Sequence, residues 1–151
     1  MTSLKLIKQD LGRASLGVWV EHPLGYRFRV ARMGNDSYRA AVEKLLKPHR
    51  DEIRRGVLSD AKIEELSREA VATHILTGWE NIEDDDGNAI PYSPAKAAEV
   101  LFNPELVDLY DFVLNTARRA ELYRLNEREE SLGNSERSSS GASPSRAEST
   151  S

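Results

Sequence analysis

The stretch LGVWVEHPLGYRFRVAR at residues 16–32 decides the fold of the N-terminal half of the chain. Two runs with alternating apolar and polar residues flank the turn His22-Pro23-Leu24-Gly25. Pro23 suits the first right-handed position of a type I turn, and Gly25 suits the left-handed residue that follows it. Turn chemistry and residue alternation select the same strand pairing, so the sequence predicts a β-hairpin with a defined register.

This register gives the hairpin one apolar and one polar face. Val20 lies opposite Phe28 on the apolar face, while Trp19 lies opposite Arg29 on the other face and predicts a cation–π contact. An isolated hairpin is marginally stable, so we expect the apolar face to pack on a helix. The other predicted pairs are His22 with Tyr26, Val18 with Val30, and Glu21 with Arg27, the last of these an ion pair.

Helix signals follow the hairpin. Asn35 or Asp36 can cap a first helix that Pro48 interrupts after Leu46 or Lys47 and that ends at Gly56. Ser59 can cap a second helix, which we expect to end near Gly78. A loop with a tight turn at residues 86–88 comes next. Ser93-Pro94 then begins a short helix through Phe102, and Asn103-Pro104-Glu105 begins a long helix expected to run to about Leu125.

The predicted fold class is therefore α+β and predominantly α: an N-terminal β-hairpin packed on a small bundle of about four helices. We divide the chain into an N-terminal arm at residues 1–14, an α-rich domain at 15–134 and a tail at 135–151. Eight of the 17 tail residues are serine. Such a composition buries too little apolar surface to offset its ordering entropy, so the tail is expected to be disordered.

The composition excludes several function classes. The 151 residues contain no cysteine, which excludes disulfide frameworks, iron–sulfur clusters and cysteine nucleophiles. No apolar run approaches the roughly 18 residues of a membrane helix, and lysines interrupt the short apolar patch at the N-terminus. A cytosolic protein is the resulting expectation.

Charge is distributed unevenly along the chain. Residues 1–56 hold 12 Lys and Arg against 6 Asp and Glu, a balance of +6, whereas residues 57–134 hold 7 against 17, a balance of -10. Residues 135–151 hold two of each, so the net charge is -4. Such a polarised surface can pair within the fold, pair head-to-tail between copies, or meet a charged partner; a solvated surface without a specific partner is the alternative.

No catalytic, metal or nucleotide motif is present. His22, His49 and His74 match no metal-ligand spacing and are interpreted as turn or packing residues. The glycines occur singly and form no phosphate-binding loop. Aligning Gly87 with the sixth position of a calcium loop puts Ile82 at the first position and Ser93 at the twelfth, so an EF-hand is excluded. The sequence thus predicts a protein that is not an enzyme and that has no cofactor.

A DNA-binding function is disfavoured for a different reason. The N-terminal half is basic, but Pro48 interrupts its first helix. The second helix carries Lys62 and Arg68 among four carboxylates, so no coherent basic recognition face emerges.

Several short stretches form a recognisable pattern when they are taken together and in order. They are VARMGN (30–35) followed by Tyr38 and Arg39, LLKPHR (45–50), GWENI (78–82), DGN (86–88), IPYSP (90–94) and DLYDFV (108–113). With these, residues 15–135 resemble the tail assembly chaperones of long-tailed (siphovirus-like) bacteriophages. LGNS (132–135) is similar to the place where chains of that family end or change reading frame.

The resemblance implies a non-enzymatic chaperone of tail morphogenesis. Its partners would be the tape measure protein and, through a frameshift-extended form, the tail tube protein, with self-association between copies. It would act in the cytoplasm of the bacterial host, on no nucleic acid or membrane, and be absent from the mature virion. The alternatives are a structural virion component, such as a connector or tail-completion protein, and a small DNA-binding regulator.

Aromatic and arginine side chains are the natural candidates for partner contacts, because such residues carry much of the binding energy at interfaces. Six are selected from the hairpin and from the stretches that carry the resemblance. They are Trp19, Arg29, Trp79, Tyr92, Tyr110 and Phe112.

Overall fold

The computed structural model of the protein describes residues 1–125. The serine-rich segment at 135–151 and LGNS at 132–135 lie outside the described residues. The chain divides into two units: residues 1–10 together with the segment that begins at Ala120, and Leu11–Arg119.

The larger unit is mainly helical and carries a three-stranded antiparallel sheet, which confirms the predicted α+β class. Asn35, Ser59 and Ser93 each cap the helix that follows them, because each side chain accepts the backbone N–H three residues further on. Pro48 lies in a 3-10 turn, Lys47–His49, that interrupts the first of these helices after Leu46, as predicted. The helices are α1 (Leu11–Leu16), α2 (Asp36–Leu46), α3 (Arg50–Arg54), α4 (Asp60–His74), α5 (Pro94–Phe102) and α6 (Val107–Ala117).

The predicted hairpin is confirmed in its register. Strands β1 (Val18–Glu21) and β2 (Arg27–Val30) pair Val20 with Phe28 and Trp19 with Arg29. Gly25 has a φ of 97°, the left-handed conformation that the turn requires. The hairpin face that carries Phe28 packs on α6, where the Phe28 and Phe112 rings lie 5.9 Å apart between centroids.

The predicted end of the second helix, near Gly78, was wrong. Helix α4 stops at His74, and Leu76–Glu80 forms a third strand, β3, on the free side of β2. The Ala31 N–H donates to the Ile75 carbonyl at 2.7 Å, so pairing with the hairpin segment takes over where the helix ends. The β-branched and aromatic residues after His74 favour a strand once a sheet edge is available.

An irregularity lies where β2 meets β3. Arg29 pairs with Gly78 but Val30 pairs with Leu76, which leaves Thr77 as the extra residue of a bulge. The Thr77 hydroxyl donates to the Leu16 carbonyl at 2.8 Å. Gly17 fits against this bulge with a φ of 107°; a Cβ there would approach Thr77 Oγ1 to 2.9 Å, so a side chain is excluded.

The core lies between one face of the sheet and α4, α5 and α6. Its strand members are Phe28, Val30, Leu76 and Trp79. Its helical members are Val71 and Ala72 of α4, Ala97 and Leu101 of α5, and Tyr110, Val113 and Ala117 of α6, with Ile75 at the junction of α4 and β3. Helix α2 contributes no fully buried residue.

The last predicted helix was too long. Its start is a 3-10 turn at Pro104–Leu106, and α6 ends at Ala117 rather than near Leu125. In the smaller unit, Ala120–Tyr123 is a 3-10 turn, and the Leu125 N–H donates to the Lys8 carbonyl at 3.1 Å. In a continuous helix the Leu125 N–H would donate to the carbonyl four residues earlier. Here it pairs with the segment at residues 8–10 instead, so the helix does not continue.

Candidate protein-binding surface

The polar face of the sheet holds two of the predicted contact residues. Trp19 is 40% exposed, and the guanidinium carbons of Arg27 and Arg29 lie 5.0 and 5.8 Å from its ring centroid. The predicted stacking of Arg29 is therefore present, with a second arginine beside it. The predicted ion pair of Arg27 with Glu21 was wrong: Arg27 pairs with Glu80 at 2.6 Å, because the unpredicted strand β3 brings that carboxylate alongside.

Arg29 is fixed in place rather than free to reach outward. Its Nε donates to Thr77 Oγ1 at 3.0 Å, and its terminal nitrogen donates to the Thr77 carbonyl at 2.9 Å. The bulge therefore anchors the arginine that stacks on Trp19.

Trp79 and Tyr92 form a second cluster on the core side of the sheet. Trp79 is 6% exposed, and its Nε1–H donates to the Ile90 carbonyl at 2.7 Å. The Tyr92 hydroxyl donates to the Leu76 carbonyl at 2.7 Å, and its ring packs edge-on to Trp79 at 5.1 Å. Together they fasten the loop at residues 82–92 to strand β3.

Tyr110 and Phe112 lie on different sides of α6. Phe112 is partly buried against Phe28 and packs edge-on to His22 at 4.8 Å. Tyr110 is buried beneath Arg68 of α4, whose guanidinium carbon lies 4.0 Å from the ring centroid. The structure thus brings Trp19 and Arg29 together, and separately Trp79 and Tyr92, but does not gather the six predicted residues on one surface.

Two open grooves flank α4 instead. The first, called here the α2–α4 groove, has a volume of about 760 Å³. It exists because the apolar stripe of α2 is only partly covered by α4. Its walls mix apolar residues with charges of both signs. It is lined by Ser37, Ala40, Ala41, Lys44, Leu45, Pro48, His49, Leu66, Glu69, Ala70, Thr73 and His74.

The second, called here the acidic groove, lies between the first turns of α4 and the junction of α5 with α6. It has a volume of about 540 Å³ and is lined by Ala61, Glu64, Glu65, Arg68, Phe102, Pro104 and Val107. Phe102 is 40% exposed and Val107 is 46% exposed. Two large apolar side chains therefore face solvent in one concave site, with carboxylates on its wall.

Arg68 holds this groove together. It stacks on Tyr110 of α6, donates to the Leu101 carbonyl of α5 at 2.7 Å, and lies 3.4 Å from the Glu64 carboxylate of its own helix. One side chain of α4 therefore contacts both helices of the opposite wall. Burial, and then the nearby Glu64 carboxylate, raise the pKa of Tyr110, while Arg68 lowers it.

Sequence reasoning missed the three residues that define the acidic groove: Arg68, Phe102 and Val107. A large aromatic residue followed directly by Asn-Pro at the end of a helix is a usable signal for Phe102, because the chain must turn there and leave the ring at a corner. Arg68 gives no such signal, since its partners lie on two other helices.

Local structure accounts for two of the three histidines and for the acidic loop. His22 Nδ1 accepts the Leu24 N–H in the hairpin turn, and His49 pairs with Glu52 at 2.9 Å. Asp84 accepts the backbone N–H groups of Asn88 and Asp86, and the bond from Asn88 does most to lower its pKa. No group of three or more metal-ligating side chains occurs within residues 1–125. Over the same residues, every helix is too short or too polar to cross a membrane.

A family model described as "YdaY prophage protein" matches residues 33–134, which include α2 to α6 and strand β3. Its description gives a prophage origin and names no molecular activity. Neither the curated proteins nor the solved structures contain a match.

Proposed function

The chain belongs to the YdaY prophage protein family, and we propose that it is a non-enzymatic assembly chaperone of a phage tail. In this proposal it binds the tape measure protein, keeps that long client soluble, and helps recruit tail tube subunits around it. A frameshift-extended form makes the tail tube contact. The protein acts in the cytoplasm of the bacterial host and leaves before the virion is finished.

The observation that supports this role best is the pair of open grooves along α4. An amphipathic helix lays its apolar face into a groove between helices and is anchored by side chains about one turn apart. The exposed side chains of Phe102 and Val107 and the partly covered stripe of α2 offer such surfaces. Several copies on one long client would combine weak contacts into strong binding.

The sequence resemblance supplies the second line of support. The stretches that carry it include the cap of α2, the segment from β3 through the Tyr92 loop, and most of α6. These residues position the helices on either side of α4. The resemblance to the chaperone family therefore falls on the residues that hold the walls of the two grooves in place. The charge polarity of the chain suits head-to-tail contacts between neighbouring copies.

Co-expression with the tape measure protein of the same prophage tests the proposal. We expect a larger soluble fraction of the client and a complex that persists in half-molar salt, because apolar contacts survive screening. A client of similar length and helical content from an unrelated source is the matched control and should not be solubilised.

Purified virions separate this role from the structural alternative. A chaperone should be absent from mature particles. No solubilisation of the client, together with a stoichiometric amount of this chain in finished virions, would replace the chaperone with a structural component. Salt-dependent binding to duplex DNA without client binding would favour a regulator.

A further inference from the structure

We propose that the acidic groove is the docking site for one kind of partner: an amphipathic helix whose apolar face is flanked by Lys and Arg. The inference rests on the proposed function only in taking the tape measure protein as the source of that helix. The groove and its charge are properties of this chain alone.

The floor of the groove supplies the apolar contact. Phe102 and Val107 project into it from α5 and α6, and Ala61 and Pro104 complete an apolar surface. Ligand sites of this kind are concave and mostly apolar, with few polar groups that fix orientation. An aromatic side chain in such a floor is the type of residue that dominates binding energy.

Arg68 makes the groove pre-formed. Its stack on Tyr110 and its bond to the Leu101 carbonyl hold α4 against α5 and α6 without any ligand. A rigid site loses little conformational freedom when it binds, which favours affinity. Arg68 and Glu64 cancel as an ion pair, and Glu65 lies 3.5 Å from Lys62, so the acidic excess of the site comes from the surplus carboxylates of the two segments that form it.

Carboxylates border the groove on both sides. Residues 60–69 of α4 carry four Asp and Glu against two Lys and Arg, and residues 103–111 carry three against none. Glu64 and Glu65 line the groove itself, and Glu105 and Asp108 are exposed neighbours of the lining residues Pro104 and Val107. Complementary charge steers encounter and rejects partners of the wrong sign, so a basic helix fits and an acidic helix does not.

The α2–α4 groove lacks this selectivity. Lys44, His49 and His74 share its lining with Glu69. Lys44 and Glu69 balance in that lining, whereas residues 60–69 and 103–111 together carry seven Asp and Glu against two Lys and Arg, so only the acidic groove favours a basic partner.

Two synthetic helical peptides of about 20 residues test the inference with the full-length protein. They share one apolar face of Leu residues and differ only in carrying Lys or Glu on the flanks. We expect the Lys peptide to bind about tenfold tighter at low salt, mainly through a faster association rate, and the difference to shrink in half-molar salt. Equal affinities, or tighter binding of the Glu peptide, would overturn the inference.

Variants locate the site. Phe102→Asp should weaken the Lys peptide about tenfold or more, and the milder Val107→Ser should weaken it in the same direction. Leu24→Asp is the matched control, because Leu24 is 76% exposed on the hairpin turn and does not line either groove. Circular dichroism before each titration confirms that the variant is folded. Loss of binding in the Leu24 variant and not in the groove variants would overturn the inference.

The charge contribution has its own pair of variants. Glu65→Gln with Asp108→Asn should slow association of the Lys peptide, whereas Glu43→Gln on the exposed side of α2 should not. Failure of the groove and failure of the proposed function are distinguishable. If the Phe102 variant solubilises the tape measure protein as well as the wild type does, the groove is not the binding site but the chaperone role stands. If the peptides bind as expected but the tape measure protein is not solubilised, the groove assignment stands and the chaperone role is wrong.

Discussion

The two faces of the three-stranded sheet are built from alternate residues of the same strands, yet they are stabilised differently. On the inner face Phe28, Val30 and Leu76 are fully buried against the helices. On the outer face Trp19 remains exposed, stacked beneath two arginines that are themselves held by Glu80 and Thr77.

This difference predicts where the sheet tolerates change. Burial of a large apolar side chain contributes roughly 1.5–3 kcal/mol, and removal leaves a cavity in addition. An exposed cation–π contact contributes about 0.5–1 kcal/mol, and an exposed ion pair about as little. Substitutions on the inner face should therefore unfold the domain, whereas substitutions on the outer face should only loosen it.

Phe28→Asp is expected to have the largest effect. Phe28 is fully buried at the centre of the core, and an unpaired carboxylate there costs several kcal/mol, which is comparable to the whole stability of a small domain. Thermal unfolding followed by circular dichroism should show loss of the cooperative transition.

The matched control is Trp19→Asp, the same new residue on the opposite face of the hairpin. Its carboxylate would face Arg27 and Arg29, so the loss should stay near 1 kcal/mol. Equal destabilisation by the two aspartates would contradict the difference between the faces.

Trp79→Phe should have the next largest effect. The phenyl ring retains much of the buried apolar contact but cannot donate to the Ile90 carbonyl, so we expect a loss of about 1–2 kcal/mol. Since that bond fastens the loop at residues 82–92, hydrogen exchange of the Ile90 amide should also accelerate. Unchanged protection of this amide would mean that Tyr92 alone holds the loop.

The hairpin could be predicted because every local signal agreed. Pro23 and Gly25 fix the turn, and the alternation around Val20 and Phe28 fixes the register without any distant partner. Strand β3 could not be predicted in the same way. Ala70, Val71, His74 and Ile75 continue the helical spacing of α4, and Gly78 is a plausible helix end. Only pairing with β2, far away in sequence, makes Leu76–Glu80 a strand instead of a further turn of helix.

The candidate site was less predictable than the fold. Aromatic residues chosen as contacts, such as Trp79 and Tyr110, are used mainly to pack elements together. Whether an apolar residue is covered depends on which helices meet beside it. Phe102 and Val107 resemble core residues in sequence and become a surface only because α4, α5 and α6 leave a groove between them. Sequence periodicity shows which face of a single helix is apolar, but it does not show how three helices pack against one another.

Arg29→Ala tests the outer face further and should cost about 1 kcal/mol, because two hydrogen bonds to Thr77 and one ring contact are lost from a partly exposed site. Arg29→Lys should recover little of this, since an ammonium cannot make the paired bonds of a guanidinium. Chemical denaturation measures both. Full recovery of stability by lysine would show that the positive charge, rather than the hydrogen bonds to the Thr77 bulge, accounts for the contribution of Arg29 to stability.

The smallest expected effect is the pH dependence that Tyr92 contributes at the edge of the sheet, and this dependence appears only in alkali. Burial raises the pKa of Tyr92 above its ordinary value of 10.0, and the charge of Arg29 opposes this. As the pH rises past about 10, the unfolded chain releases the phenolic proton while the folded protein retains it. The stabilisation is therefore complete below that pH and is lost as the pH rises toward the folded pKa.

Tyr92→Phe removes this linkage together with the bond to the Leu76 carbonyl. At neutral pH we expect the variant to be less stable by about 1 kcal/mol, from the lost hydrogen bond. Because phenylalanine does not titrate, the difference between wild type and variant should narrow as the pH rises above 10. Denaturant unfolding of both proteins from neutral pH to about pH 11 measures that difference directly, since the two chains differ at no other residue. A difference that stays constant over this range would mean that the Tyr92 phenol is equally easy to ionise in the folded and unfolded states, and that the loop leaves this edge of β3 open to solvent.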